Sequence, residues 1–181
     1  AIRAFAVLGL FSFGVVYFGG PVAMGWKCLF MSISLALLIP AAVLVHSWIQ
    51  TLRRGGFKSS AQAHFALRFV IFFTLTMVMH TALSIPTLGA WLMGSEAGYA
   101  SWHLLVWAAA ATGGFAALLY WFPKITGRLF NDFKAKVACG MITIGTLLAL
   151  LAMISLGLDG IPREISEYSD ADGAQVRFII V

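Results

Sequence analysis

Four histidines, His46, His64, His80 and His103, are the side chains of this sequence best suited to do chemistry. No Asp or Glu lies inside any of the long apolar stretches, so those stretches hold no proton relay built on carboxylates. There is no Gly-rich phosphate loop and no HExxH-type metal helix. Imidazole is a good axial ligand for haem iron, and an ionisable group at membrane depth is a functional candidate by default. His80 is the twelfth residue of its apolar stretch and is expected near the bilayer midplane. His103 is the seventh of the next, about 10 Å inside at roughly 1.5 Å per residue. Two histidines on adjacent helices could hold a haem. The competing reading for each is a neutral imidazole bonded to a neighbouring carbonyl or hydroxyl. His46, near a helix end, and His64, in a basic loop, read as structural.

The elements that must position these side chains are membrane helices. Of 181 residues, 61% are hydrophobic and 10% charged, against about 25% charged in an average soluble protein. The mean hydropathy is +0.93, more apolar surface than a soluble fold can hide. A spanning helix needs about 20 apolar residues, and five uncharged windows are long enough: residues 4–26, 28–52, 69–95, 97–123 and 137–158. The expectation is an all-α integral membrane protein, one transmembrane domain over residues 1–181, folded as an antiparallel bundle of about five helices. The runs are continuous rather than alternating, which excludes a β-barrel. Pro40 and Pro86 fall inside two windows, tolerable where neighbours satisfy the freed carbonyls. The last residues, Phe178 to Val181, read as the first turn of another span.

Net charge is +5, from 12 Lys and Arg against 7 Asp and Glu. Basic residues that hold loops on the cytoplasmic side account for it without nucleic acid. Arg53, Arg54, Lys58 and Arg68 surround the second loop, and Lys124, Arg128, Lys134 and Lys136 the fourth, against one acid, Asp132. The other two loops carry Lys27 and Glu96, and the tail over residues 159–177 is acidic. The amino terminus and the basic loops are therefore expected on the cytoplasmic or matrix side of a bacterial or mitochondrial inner membrane. Cys28 and Cys139 then lie near opposite faces and read as packing residues. The first window is too long, with too poor a cleavage site, for a signal peptide. Trp91, Trp102, Trp107, Trp121 and Tyr120 read mainly as an interfacial belt. The small-residue run from Ala108 to Gly114 permits close helix approach or a flat macrocycle against the backbone.

Three strings carry the reading further. The run from Tyr120 to Arg128 (YWFPKITGR) resembles the loop between helices X and XI in subunit I of the haem–copper oxidases, the cytochrome c oxidase family. Gly157 to Arg163 (GLDGIPR), followed by Glu167 to Ala171, resembles that family's segment after helix XI. Ile39 and Pro40, Ser47 and Trp48, Thr51 and Leu52, and Gly55 and Gly56 are similar to its helix VIII and the loop beyond. The order and spacing agree over nearly the whole chain, which corresponds to helices VII–XI, the carboxy-terminal half of subunit I.

The resemblance implies haem, residue by residue. His103 stands where the family's low-spin haem ligand lies, but Ser101 replaces the high-spin ligand. The copper-ligating histidine pair is replaced near Tyr17 to Gly20, the proton-channel lysine is Leu44, and the propionate-binding Arg pair is reduced to Arg163 and Glu164. No copper and no oxygen-reducing centre are expected. The implied protein is a subunit I-like member of a respiratory electron-transfer complex, with His103 as one axial ligand of a low-spin haem and Arg163 as a propionate contact. Its second ligand would come from a partner resembling the amino-terminal half of subunit I, or from His80, where the family carries glycine. Other integral membrane subunits, with cytochrome c or a quinone as donor, are the implied partners. The alternatives are a cofactor-free structural subunit and a quinone- or chlorin-binding one.

Overall fold

The computed structural model describes residues 1–56 and 58–162. Helix α1 (Ile2–Ser12) runs on into a 3-10 turn over Phe13–Gly19. Then follow α2 (Met24–Arg54), α3 (Ala61–Leu83), a short α4 (Pro86–Leu92) and α5 (Glu96–His103). A π-helical stretch, Leu104–Ala110, joins α5 without a break to α6 (Ala111–Thr126), and α7 (Asp132–Leu158) closes the bundle. No strand forms among the described residues, and one isolated bridge pairs Ser95 with Pro162. Five helical segments are long and apolar enough to cross a membrane: Ile2–Gly19, Met24–Arg54, Ala61–Leu83, Glu96–Thr126 and Asp132–Leu158. The chain is an all-α integral membrane protein with the five spans its composition predicts.

Using charges as boundaries misplaces several helix ends, and each error has a physical cause. Arg68 lies within α3, and Lys124, Lys134 and Lys136 lie within the end turns of α6 and α7. A long cationic side chain reaches the interface while its backbone stays helical, so charge marks the membrane surface rather than the helix end. The window over residues 69–95 is divided in two. Pro86 stands at the start of α4, where its missing N–H costs nothing and its fixed φ suits the first turn. Ser84 ends α3 just before it. His80 consequently sits in the last turn of α3, at the end of that helix rather than in its middle. Residues 20–23 connect the first two spans, so Trp26 belongs to α2. Pro40 remains inside α2, buried against the bundle.

Helix α3 is the centre of the packing and touches α2, α4, α5, the π segment, α6 and α7. In lipid the hydrophobic effect does not drive helices together, so close packing of small and large side chains must do so. Ala100, Ala108 and Ala109 give that closeness, seating the α5–π segment against Phe72, Phe73 and Met77 of α3 and Met153 of α7. Farther along, a Cβ on Gly113 would stand 3.0 Å from the Phe69 ring. This part of the small-residue run therefore serves helix packing. A ring stack fastens α1 and α2 to α3. Trp48 lies 5.0 Å from Phe69 and 5.2 Å from Phe73, and Phe5 lies 5.4 Å from Phe73, centroid to centroid.

Both ends of the bundle are tied across helices. At the basic end, Asp132 Oδ1 accepts from the Ala61 N–H at 2.7 Å, placing a carboxylate at the N-terminus of α3. Lys136 Nζ donates to Ser59 O at 2.6 Å and pairs with Asp132 at 2.6 Å. Lys124 sits over the Tyr120 ring, 3.6 Å from its centroid, and 4.9 Å from that of Trp121. At the opposite end, Lys27 Nζ donates to Phe18 O at 3.1 Å, and the Glu96 N–H donates to Ile161 O at 3.2 Å. There α7 crosses α5 so closely that a Cβ on Gly157 would collide with the backbone of Ala97.

Candidate functional site

Helix α5 separates two cavities, and alternate residues along it face different ones. Successive side chains of an α-helix are about 100° apart, so two residues on they point to nearly opposite sides. Ser101 lines a cavity of about 200 Å³ bounded by α1, α3 and α5, together with Trp102, Thr76 and His80. His103 instead lines a groove of about 240 Å³ between α5, the π segment and α7, with Trp107, Gly145, Thr146, Ala149, Leu150 and Met153. His80 and His103 are on packed helices, yet the structure does not bring them into one pocket.

The groove is a wedge. Helices α5 and α7 meet at Ala97 and Gly157, whereas a Cβ on Gly145 would meet nothing within 4 Å. Leu150 and Met153 are buried and form its floor. Gly145 and Ala149 are four residues apart, on one face of α7. Above it stands His103, the last residue of α5, just before the π-helical stretch. Such wide turns occur often at functional positions, because one extra residue re-aims the side chains around it. Nδ1 of His103 lies 3.3 Å from Tyr99 O, and the Tyr99 ring packs edge-on to the imidazole at 4.6 Å. With Nδ1 directed at a backbone carbonyl, Nε2 is the ring nitrogen turned away from the Tyr99 carbonyl.

The other candidates are more easily stated. His46 is exposed on α2. Nδ1 of His64 is 2.9 Å from Ser60 O, in the first turn of α3. Leu44 is buried. Arg163 lies outside the described residues, as do Glu164, the rest of the acidic tail and the Phe178–Val181 stretch. Pro162, the residue before Arg163, is bridged to Ser95 at the end of the bundle where α5 begins. No group of three or more His, Cys, Asp or Glu that could hold a metal ion occurs among the described residues. A metal here would need a macrocycle or ligands from another chain. The groove-lining residues Gly145, Thr146 and Ala149 escaped the sequence reading. Their only signal was a small-residue spacing on α7, and nothing in the sequence pairs it with His103.

Residues 1–180 match the family described as Cytochrome C and Quinol oxidase polypeptide I. The chain is 32% identical over 164 residues to cytochrome c oxidase polypeptide 1 of Halobacterium salinarum, covering 89% of this chain and 28% of that protein. It is 30% identical over 142 residues to the alternative cytochrome c oxidase subunit 1 of Bradyrhizobium diazoefficiens, covering 78% and 24%. With cytochrome c oxidase subunit 1 of Cereibacter sphaeroides it shares 25% identity over 171 residues, covering 94% and 30%. The chain thus spans under a third of the length of these relatives. Its five-span helical bundle and the match along nearly its whole length agree: the chain belongs to the cytochrome c and quinol oxidase polypeptide I family.

Proposed function

We propose that this chain is the subunit I-type component of a membrane electron-transfer complex, and that His103 supplies one axial ligand to a low-spin haem seated against the groove between α5 and α7. The observation that supports this is the setting of the imidazole. Its Nδ1 faces Tyr99 O, leaving Nε2 for iron, and Gly145 and Ala149 opposite leave room for a flat ring. When bound, the haem takes up and releases one electron. In such a complex the Tyr99 carbonyl would orient the His103 imidazole that holds the group, and Gly145 and Ala149 would leave room beside it. A groove of about 240 Å³ holds only part of a macrocycle. The remaining walls and the second axial ligand then come from another polypeptide, resembling the amino-terminal half of subunit I. His80 opens on a different cavity, so this reading assigns the second position to the other polypeptide rather than to His80.

On this reading Arg163, the residue that follows Pro162 in the sequence, pairs with a haem propionate. Guanidinium–carboxylate pairing is among the stronger polar contacts. Cytochrome c or a quinol is the electron donor class. Ser101, Leu44 and the Tyr17–Gly20 segment offer neither a high-spin haem ligand, a channel lysine nor a copper-binding pair, so the role assigned is electron relay without oxygen reduction. The test is the visible spectrum of the assembled complex carrying His103→Ala. Loss of the sharp low-spin α-band is expected. An unchanged spectrum overturns the reading in favour of a cofactor-free scaffold, and red-shifted chlorin bands would replace haem with another macrocycle.

A further inference from the structure

The second cavity, on the other side of α5, poses a separate question. Its wall is mostly apolar, with Phe5 and Phe13 from α1 and its 3-10 turn, Met77 from α3, and Trp102 from α5. Three hydroxyls also line it, and each already donates to its own helix: Ser12 to Gly9 O at 2.9 Å, Thr76 to Phe72 O at 2.8 Å, and Ser101 to Gly98 O at 2.7 Å. Nε2 of His80 is different. It is buried and has no hydrogen-bond partner among the described residues. A buried polar atom left without a partner is destabilising, and such atoms are rare enough in native proteins to call for an explanation. The cavity is where that partner would sit.

Size and chemistry restrict the occupant. An apolar cavity of about 150 Å³ accommodates a benzene ring, and this one measures about 200 Å³. That is room for one substituted six-membered ring and too little for a tetrapyrrole. The Ser12, Thr76 and Ser101 hydroxyls have spent their donors and offer only acceptor lone pairs, and the rest of the wall is aromatic and aliphatic, so a ring with one hydroxyl matches the lining better than water alone. A neutral imidazole has one donor and one acceptor nitrogen, and a hydroxyl group complements Nε2 in either tautomer. Phe13 and Leu105 line the cavity and are themselves exposed, and the Phe13 ring meets the Trp102 ring edge-on at 5.5 Å.

We infer that the cavity between α1, α3 and α5 binds a single-ring aromatic hydroxyl compound, a phenol or the headgroup of a membrane quinol, with its hydroxyl on His80 Nε2 and its ring between Phe5, Met77 and Trp102. This site is separate from the His103 groove and does not depend on haem being present there. Binding is the whole of the inference; no electron transfer is assigned to it.

The experiment is a fluorine NMR titration of the full chain in lipid nanodiscs with 4-fluorophenol, and with fluorobenzene as the ring lacking a hydroxyl. His80→Leu removes the nitrogen at similar volume. Gly9 lines the cavity and has nothing within 4 Å of an added Cβ, so Gly9→Leu is expected to occupy part of the cavity. Wild type is expected to bind 4-fluorophenol about tenfold more tightly than His80→Leu, which corresponds to ~1.4 kcal/mol. Fluorobenzene should bind both alike, and Gly9→Leu should lose both ligands. Competition by a dimethoxy-methyl hydroquinone identifies the source: stronger displacement by the isoprenoid-tailed form assigns a membrane quinol, and equal displacement assigns a free phenol. Equal affinity of 4-fluorophenol for wild type and His80→Leu overturns the inference, as does no binding to wild type or undiminished binding to Gly9→Leu. The visible spectrum with His80→Leu should be unchanged, so this test and that of His103 fail independently.

Discussion

Gly157 offers the sharpest test of the packing, because removing the clash predicted there reverses the sign of the effect. An added Cβ would lie 2.7 Å from the Cα of Ala97, and nearer still to its N and Cβ, where ordinary contact begins at 3.4 Å. Measured against the Cα alone, the two helices must part by about 0.7 Å, the difference between 3.4 and 2.7 Å. The same end is held by the Ser95–Pro162 bridge and the Glu96 N–H to Ile161 O bond at 3.2 Å, so the strain cannot dissipate locally. Overpacking of this kind costs about 1–3 kcal/mol, or roughly one to two decades in the equilibrium between packed and separated helices. Without a clash, Ala in a helix interior would instead stabilise by about 1 kcal/mol over Gly. Gly157→Ala is therefore expected to lower the midpoint of detergent-induced unfolding, followed by circular dichroism in mixed micelles. Adding Ala97→Gly should restore part of the loss, since the Ala97 Cβ is removed while its N and Cα remain. An unchanged or raised midpoint in Gly157→Ala would refute the argument, and strict additivity in the double variant would show that the two residues do not touch.

Phe73→Ala removes the ring shared by Phe5, Trp48 and Phe69 and should cost about 3–5 kcal/mol in the same unfolding assay; Ile71→Ala, on the exposed face of α3, should cost far less. For the proposed orientation, Gly55→Cys in sealed cells should resist an impermeant maleimide added from outside, and labelling there would reverse the topology. Arg163→Ala should retain the haem of the assembled complex and lower its affinity for an electron, read as a negative shift in a potentiometric titration, because a cation that stabilises the added electron is removed from beside the propionate; loss of the α-band in Arg163→Ala would instead make Arg163 essential to seating the haem.

The identity of each span was legible because crossing a membrane is a one-dimensional demand. About 20 apolar residues are needed wherever the helix later packs, and the sequence of Met24–Arg54 or Asp132–Leu158 meets it unaided. Helix ends were less legible. Lys134, Lys136 and Arg68 can lie on a helix and still reach water, so charge overestimates the loops. Pro86 shows the same limit from the other side, since a proline is compatible with a kinked span and with the first turn of a separate helix. The choice was made by the packing of α3 and α4, not by the residue.

For the site, the sequence by itself determined which groups were available: His103 and His80 as imidazoles in apolar surroundings, Ser101 without one, and a family order of motifs from Pro40 to Arg163. Helical periodicity alone puts Ser101 and His103 on opposite faces. Only the tertiary structure decided what those faces look upon. It set His103 over the small side chains Gly145 and Ala149 of α7, and it joined Ser101 to His80 in a cavity walled largely by α1. The physical reason is that a pocket is the space left between helices, governed by where they touch. The contact of Gly157 with Ala97 sets where α5 and α7 meet, and the Phe5–Phe73 and Trp48–Phe73 contacts set where α1 and α2 lie against α3. Those contacts join residues up to 68 positions apart (Phe5 to Phe73, 73 − 5), a separation at which no local pattern in the chain records that they meet.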